Sequence, residues 1–285
     1  MFGRVMFEVT LSFPADLAPF LRREHRTTGD GRTVRRRLAE RTSVKDVVES
    51  CGVPHTEVDL ILAAGDVGGA DGADGADGTG GTEDAWRAVD FSWQVAEPTR
   101  LRVVSAPAPD DVCPGVPRLQ VRAARRFVAD GHLGKLARNL RLLGLDVAYE
   151  RDATDPRLLE IMQAEDRALL TRDRPLLMHA VVRQGYCPRS DEPETQTREV
   201  LWRFGLLGGG GGPLAPFSRC LRCNAPLAAV PKAEVTDPLA GEPLTLRYYD
   251  DFRRCPGCGQ IYWPGTHADK LGALVARLTV DGGGR

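Results

Sequence analysis

The sequence predicts an α/β protein of two units, the second of which carries a small cysteine-bearing module. Three observations predict it: a strand-rich first third, strands alternating with helices from residue 126 onward, and two Cys-x-x-Cys pairs. Strands that alternate with helices imply a parallel sheet covered on both faces. With 285 residues, 42% of them hydrophobic and 27% charged, the chain is long enough for two globular cores.

Composition and charge argue against an overall basic protein, a membrane-spanning protein and a protein with a signal peptide. The formal net charge of −1 gives no overall attraction to nucleic acid, so any basic surface must be local. No apolar run approaches the roughly 20 residues that span a bilayer, and the N-terminus lacks the apolar region of a signal peptide. We therefore expect a cytoplasmic protein without membrane contact. Seven cysteines in that compartment indicate metal ligands or free thiols more often than disulfides.

The first unit, residues 1–106, alternates strands with one clear helix. Strands are predicted at residues 5–12, 33–38, 58–62 and 101–105. The helix is predicted from Ser43, a natural N-cap with Asp46 three residues later, to Gly52, which follows the last turn. Two strands, a helix and further strands in about a hundred residues describe a small β-grasp domain.

Two stretches lack the periodicity of helices and strands. Residues 68–81 repeat Gly, Ala and Asp, but they lack the spaced ligands and closing Glu of a calcium loop. We predict a disordered insertion there. Residues 107–118 are rich in proline and are predicted to be the linker between the two units.

The second unit, residues 119–280, is organised around one stretch that begins with a buried strand. The apolar run 127–129 ends at Asp130, and Gly131 permits a tight turn. In the helix that follows, apolar side chains recur at three- and four-residue steps: Leu133, Leu136, Ala137, Leu140 and Leu143. Three basic residues fall on the opposite face of this helix: Lys135, Arg138 and Arg141. They either contact phosphate or form the solvent-exposed face of an amphipathic helix.

The rest of this unit continues the alternation of strands and helices. Strands are predicted at residues 146–150, 168–171 and 185–187, and helices at 154–162, 176–184, 195–204 and 267–278. Parallel crossovers are right-handed, so the carboxyl ends of successive strands meet at one edge of the sheet.

Three aspartates are placed so that they can converge at this edge. Asp130 and Asp173 directly follow predicted strands, and Asp155 opens the helix between them. Clustered carboxylates repel one another unless a cation neutralises them, and hard oxygen ligands suit Mg²⁺ or Mn²⁺. Each acid also has a structural alternative, as a helix cap or a turn residue. Arg172 and Arg174, which flank Asp173, are further candidates for phosphate binding.

Two cysteine pairs predict a zinc ribbon at residues 217–264. The ligands would be four thiolates: Cys220, Cys223, Cys255 and Cys258. Four thiolates leave no open position for substrate, so the zinc would be structural; disulfides or free thiols are the alternatives. Strands are predicted at residues 244–249 and 260–263. The arginine and aromatic side chains of the ribbon either contact RNA or pack the module.

With these motifs in view, residues 126–278 resemble the PIN-like RNase domain at the C-terminus of the mut-seven exonuclease family. The resemblance rests on residues 127–146, on residues 170–176 and on the cysteine pairs. Residues 43–58 resemble the ubiquitin-like domain found ahead of bacterial PIN-type RNases. The resemblance implies a metal-dependent RNase with catalytic Mg²⁺ or Mn²⁺ on three acids: Asp130, Asp155 and Asp173.

We therefore expect a ribonuclease that hydrolyses RNA phosphodiester bonds through an aspartate cluster. The alternative is a non-catalytic adaptor that binds RNA or ribosomes and retains the PIN fold; a nuclease-like toxin is a third hypothesis. The ubiquitin-like domain is expected to bind RNA or a protein partner, or to be structural.

Overall fold

The computed structural model describes residues 6–26, 32–64, 86–120, 122–207 and 213–279. These residues form two compact units. The first comprises the described residues up to Gln120 together with Leu177–His179, and the second comprises the remainder. The insertion predicted at residues 68–81 lies outside the described residues. In the described ranges no helix is long and apolar enough to cross a membrane.

The first unit is built on a five-stranded sheet with one main helix. Its elements are β1 (Phe7–Ser12), α1 (Arg23–Arg26), β2 (Thr33–Leu38), β3 (Thr42–Ser43), α2 (Val44–Ser50), β4 (Val58–Ala64), β5 (Trp86–Val89), β6 (Gln94–Val95) and β7 (Thr99–Ser105). The strand order is β2-β1-β7-β4-β5, and β3 pairs with β6 separately. Strands β1 and β7 are parallel, and the other neighbours in the large sheet are antiparallel. The predicted strands and helix are all present.

Helix α2 begins and ends where the sequence predicts. Ser43 Oγ accepts a hydrogen bond from the Asp46 N–H at 3.1 Å and donates one to the Asp46 carboxylate at 2.6 Å. At the other end Gly52 has a φ of +103°, which glycine adopts without strain. A Cβ there would also lie 2.6 Å from the Phe20 carbonyl oxygen, so the turn requires glycine.

The proline-rich segment at residues 107–118 contains no helix or strand. It is attached to the first unit by the carboxylate of Asp59, which is completely buried. This carboxylate accepts hydrogen bonds from the N–H groups of Ala108 at 2.7 Å and Gln120 at 3.1 Å. Both oxygens of this buried carboxylate are thus satisfied by backbone groups, one near the start of the segment and one just after its end.

The second unit contains a parallel sheet with helices. Its elements, apart from the last residue of α5, are β8 (Arg126–Ala129), α3 (Gly134–Leu142), β9 (Asp146–Tyr149), α4 (Asp155–Glu165), β10 (Ala168–Leu170), α5 (Arg174–Leu177), β11 (Gly185–Tyr186), α6 (Pro193–Arg203) and, after the cysteine module, a closing helix at Thr266–Thr279. The strand order is β11-β10-β8-β9, with every pair parallel. The direction of strand addition therefore reverses between β8 and β10. Such a switch point opens a crevice at the carboxyl ends of the strands.

The apolar stripe of α3 lies in the core of this sheet, as predicted. All five stripe residues are buried in one cluster: Leu133, Leu136, Ala137, Leu140 and Leu143. The cluster also contains Phe127 of β8 and Phe204 after α6, whose rings meet edge-on at a centroid distance of 5.1 Å.

The cysteine module consists of β12 (Ala228–Val230), α7 (Pro243–Tyr248), β13 (Phe252–Arg254) and β14 (Ile261–Tyr262), so that the closing helix is α8. The three strands form one antiparallel sheet in the order β12-β13-β14.

Two predicted elements are wrong. The strand predicted at residues 244–249 is the helix α7, because a proline starts the helix and the less exposed residues Thr245, Leu246 and Tyr249 recur at helical spacing. The helix predicted at residues 176–184 is only the four-residue α5, since β-branched Val181 and Val182 disfavour its continuation.

Candidate active edge and metal centre

Asp130 lies at the carboxyl end of β8, next to the switch point between β8 and β10. Its N–H donates to the Leu170 carbonyl at 3.0 Å, and its side chain is half-buried. A Cβ on the following Gly131 would lie 2.1 Å from the Arg151 carbonyl oxygen. The turn therefore requires glycine because the loop after β9 approaches so closely. This tight fit fixes the backbone beside Asp130.

A threonine that the sequence analysis did not identify connects two of the predicted acids. Thr171 is completely buried, and its hydroxyl donates to Asp130 Oδ2 at 2.7 Å. The same hydroxyl accepts a hydrogen bond from the Asp173 N–H at 2.9 Å. Asp173 is exposed, and its Oδ1 accepts the Leu176 N–H at 3.2 Å, which caps α5. The only signal for Thr171 in the sequence was its position between a strand and an acid.

Asp155 is placed differently from the other two acids. It is exposed in the first turn of α4, where Thr154 is the N-cap and Asp155 already has a helical position. Within the described ranges, Asp130, Asp155 and Asp173 do not form a group whose ligand oxygens all lie within 4.8 Å. Thr171 thus joins the Asp130 carboxylate to the backbone of Asp173, and Asp155 takes no part in these hydrogen bonds.

The two cysteine knuckles have the same backbone structure. In the first, the Asn224 N–H donates to the Cys220 carbonyl at 3.0 Å; in the second, the Gly259 N–H donates to the Cys255 carbonyl at 3.0 Å. Asn224 and Gly259 both have a left-handed φ, +73° and +75°. Each knuckle therefore turns its two thiols to the same side by the same hydrogen-bonded turn.

The four thiols meet in one cluster. The sulfur atoms of Cys220, Cys223, Cys255 and Cys258 all lie within 4.8 Å of one another. The Cys220–Cys258 and Cys223–Cys255 sulfur pairs are 3.6 and 3.2 Å apart. A tetrahedral zinc site with Zn–S bonds of about 2.3 Å has sulfur atoms about 3.8 Å apart. The donor set and its spacing therefore fit a structural zinc ion.

The hydrogen bonds around Cys220 favour its thiolate. Burial acts to raise the pKa of the Cys220 thiol. Hydrogen bonds from the Tyr262 hydroxyl and from the N–H groups of Cys223 and Arg222 outweigh burial and lower the pKa to about 6. A cysteine must be deprotonated to bind metal, so this thiol is prepared for zinc near neutral pH.

Both the acid edge and the cysteine cluster fall within a single family match. The model of the Mut7-C RNAse domain matches residues 125–275, more than half of the chain. The chain belongs to the Mut7-C RNase domain family. The model of the Mut7-C ubiquitin domain matches residues 6–74. No curated protein and no solved structure gives a match. These findings confirm the resemblance inferred from the sequence, and membership indicates a nuclease-type function.

Two of the predicted phosphate-binding residues of the Mut7-C domain are available to a ligand. Lys135 and Arg138 are exposed on α3, and neither makes an ion pair with any residue that the structure describes. Arg172 is also exposed but pairs with Asp191. Arg174 is half-buried at the first position of α5.

Arg141 does not lie on the exposed face of α3, so its predicted position is wrong. The side chain is buried, and its Nε and Nη2 atoms donate to the Val147 carbonyl at 3.0 and 2.8 Å. Its Nη1 atom donates to the carbonyls of Leu221 at 3.4 Å and Arg222 at 3.0 Å. The guanidinium is thus occupied by backbone carbonyls of β9 and of the first knuckle.

The aromatic side chains of the ribbon mostly pack the module. Tyr249 and Trp263 pack against its small core, and the Tyr262 hydroxyl contacts the Cys220 sulfur at 3.2 Å. Tyr248 is 65% exposed. A cavity of about 1290 Å³ between the ribbon, α3 and α8 is lined by Arg138 and several of these aromatics. None of the three acids lines it.

Proposed function

We propose that this Mut7-C protein is a metal-dependent ribonuclease whose active site is the sheet edge that carries Asp130 and Asp173. The observation that supports it is the position of Asp130 at the switch point, hydrogen-bonded through Thr171 to the segment that carries Asp173. Ligands of open α/β sheets bind at such points. The family match supports the nuclease class and RNA as the substrate.

The residues at this edge fit Mg²⁺ or Mn²⁺ chemically. Carboxylates are the hard oxygen ligands that these ions prefer, and we propose Asp130, Asp173 and Asp155 as the ligands. When bound, such an ion activates water and stabilises the leaving oxygen of a phosphodiester. Thr171 orients the Asp130 carboxylate, and the α5 cap orients Asp173. Asp155 is exposed and would be drawn in from the first turn of α4.

The basic residues near the edge would hold the RNA backbone. Lys135 and Arg138 extend from α3, whose first turn follows the Asp130 turn directly. Arg172 and Arg174 flank Asp173. We propose these four side chains as phosphate contacts. Arg141 is not among them, because its donors are occupied within the fold.

Cleavage of single-stranded RNA by the purified full-length protein tests this proposal. We expect Mg²⁺- or Mn²⁺-dependent cleavage that EDTA abolishes and added Mg²⁺ or Mn²⁺ restores. Measuring the zinc content at each step distinguishes loss of the catalytic ion from loss of zinc. Asp130→Asn should abolish cleavage and leave the fold intact, because asparagine can still accept the Thr171 hydrogen bond. Asp152→Asn, an exposed acid of the neighbouring loop, is the matched control and should cleave normally. Wild-type activity in Asp130→Asn would reject the assignment.

One observation favours a second candidate function. Since the carboxylate oxygens of Asp130, Asp155 and Asp173 do not meet as one group within 4.8 Å, the chain also fits an adaptor that binds RNA or ribosomes without cleaving RNA. Tight RNA binding with no turnover at any divalent ion would support this function over the first.

The remaining proposals concern the setting in which the protein acts. The ubiquitin-like domain is a candidate surface for a protein partner. We also propose that the protein acts in the cytoplasm, where thiols stay reduced and available to zinc.

A further inference from the structure

Two side chains from outside the sheet cover its open edge at β9. Strand β9 is the last strand in the order of the described sheet, so its outer N–H and C=O groups face away from β8. At Val147, the N–H donates to Asn224 Oδ1 at 3.0 Å, and the carbonyl accepts both Arg141 Nε and Nη2. Both polar groups of Val147 are therefore satisfied by side chains of the first knuckle and of α3.

The same two side chains attach the first cysteine knuckle to β9. The other end of the Asn224 amide, Nδ2, donates to Asp146 Oδ1 at 2.7 Å. Arg141 reaches the knuckle through its Nη1 atom, 3.0 Å from the Arg222 carbonyl oxygen. The second knuckle has Gly259 in the position of Asn224, so it has no side chain for an equivalent contact. Of the two knuckles, it is therefore the first that is attached to the sheet by a side chain at this position.

The far end of β9 forms the wall of the turn that carries Asp130. The Tyr149 hydroxyl donates to the Gly131 carbonyl at 2.9 Å. A Cβ on Gly134 would lie 2.6 Å from the same hydroxyl, and a Cβ on Gly131 would lie 2.1 Å from the Arg151 carbonyl oxygen. Contacts this close leave little room for β9 to shift without moving the turn. The strand is short, since Asp146 and Tyr149 are three residues and about 10 Å apart.

We propose that Asn224 and Arg141 are positioning residues through which the zinc-bearing knuckle holds β9 in place and thereby sets the position of Asp130. The first knuckle and Arg141 are hydrogen-bonded to Val147, the backbone of β9 joins Val147 to Tyr149, and Tyr149 is hydrogen-bonded to the Asp130 turn. The effect on turnover rests on the proposed ribonuclease activity. The effect on the Asp130 turn does not, because it can be measured without substrate.

The Asn224→Gly variant removes the amide and leaves the knuckle backbone unstrained, because glycine adopts the left-handed φ of +73° freely. We expect its zinc content to equal that of the wild type. Amide hydrogen exchange should become faster by about tenfold at Val147 and at residues 131–134, the effect of losing one or two partly buried hydrogen bonds. In RNA cleavage, kcat should fall by a similar factor with KM unchanged, because Asn224 is not one of the proposed phosphate contacts.

Two further variants separate positioning from general destabilisation. Asn139→Ala removes an asparagine amide of α3 that donates to Thr197 Oγ1 at 3.2 Å, toward α6 and away from β9. Asn139→Ala should change neither the amide hydrogen exchange of residues 131–134 nor kcat. Arg141→Lys keeps the buried charge but cannot span Val147 and the knuckle together, so it should change exchange in the same direction as Asn224→Gly.

Zinc removal in magnesium-free buffer completes the test. Stripping zinc from the wild type should speed amide hydrogen exchange at residues 131–134. Stripping it from Asn224→Gly should add less, since one of the two side-chain connections between the knuckle and β9 is already lost. Two results together would overturn the inference. Asn224→Gly would change amide hydrogen exchange only within the ribbon, and zinc removal would have the same effect on the variant as on the wild type. If the wild type cleaves no RNA, the proposed function fails, and the exchange results still decide this inference.

Discussion

The cysteine cluster and the acid edge are two proposed metal sites that are assembled in different ways. The four thiols come from two turns with identical hydrogen bonds, and their sulfur atoms already lie within 4.8 Å. The carboxylates come from separate segments, and only Asp130 and Asp173 are connected, through Thr171. Thiols can approach while protonated, whereas ionised carboxylates repel one another without a cation. We infer that the backbone preorganises the zinc site and that ion binding completes the acid site.

The largest expected effect comes from breaking the preorganised site. The double variant Cys220→Ser, Cys255→Ser removes one buried ligand from each knuckle. It should lose its zinc, and with it a binding free energy that is on the order of 10 kcal/mol in zinc-finger peptides. Metal analysis should give about one zinc per wild-type chain and none in the variant. Thermal unfolding should show a destabilised ribbon.

Cys113→Ser is the matched control for this variant. Cys113 is a free, half-buried thiol in the proline-rich segment, outside the cluster. The control should keep its zinc and its melting temperature. Zinc retained at full stoichiometry by the double variant would show that the cluster is not the zinc site.

The difference between the sites also explains what the sequence could predict. Each knuckle is a local turn, so the Cys-x-x-Cys spacing alone predicted which four cysteines form the cluster. The burial of Arg141 could not be predicted from the periodicity of α3, because the Leu221 and Arg222 carbonyls that it binds come about eighty residues later. Thr171 was missed for the same reason, since its bond to Asp130 joins two loops. The alternation of residues 244–249 suggested a strand, but the chain forms α7.

Asp173 and Asp155 differ in how the fold holds them: the Asp173 carboxylate caps α5, whereas Asp155 is exposed in the first turn of α4. Asp173→Asn should reduce RNA cleavage by more than the 10- to 100-fold that outer-shell partners typically cost, because Asp173 is oriented before the ion binds. Asp155→Asn should cost less and be offset by more Mg²⁺, because Asp155 must first be drawn in. Initial rates over a series of Mg²⁺ concentrations measure the difference.

Neither of these variants should change the melting temperature. Asparagine can still cap α5 at position 173, and Asp155 is exposed. If Asp155→Asn were as inactive as Asp130→Asn at every Mg²⁺ concentration, Asp155 would be as well positioned for the ion as Asp130. The acid site would then be preorganised like the cysteine cluster, against our inference.

The third prediction concerns the connection between the two acids. Thr171→Val keeps the volume of a buried side chain but removes the donor to Asp130 and the acceptor for the Asp173 N–H. Cleavage should fall by about 10- to 100-fold, as for other residues that orient metal ligands. Thr171→Ser retains the hydroxyl and should stay close to the wild-type rate. Equal rates in the two variants would show that the hydroxyl does not orient the acids.

The smallest expected effect concerns Asp146, where the cysteine module meets the sheet. Partial burial acts to raise the pKa of this carboxyl, but hydrogen bonds from Arg167 at 2.6 Å and Asn224 at 2.7 Å outweigh it. With the charges of Arg167 and Arg219, they hold the pKa below its ordinary value of 3.8. Because the folded-state pKa is the lower one, ionised Asp146 contributes its full stabilisation above 3.8 and loses it only as the pH falls further.

Asp146→Asn should therefore lower the free energy of unfolding by about 1 kcal/mol at pH 7, the typical value of a hydrogen bond. The difference from wild type should stay constant between about pH 7 and pH 5, because Asp146 remains ionised in both the folded and the unfolded chain there. Urea unfolding of the zinc-loaded proteins at several pH values measures it. A difference that shrinks within this range would mean that Asp146 takes up a proton there, and would contradict a carboxylate stabilised by Arg167 and the first knuckle.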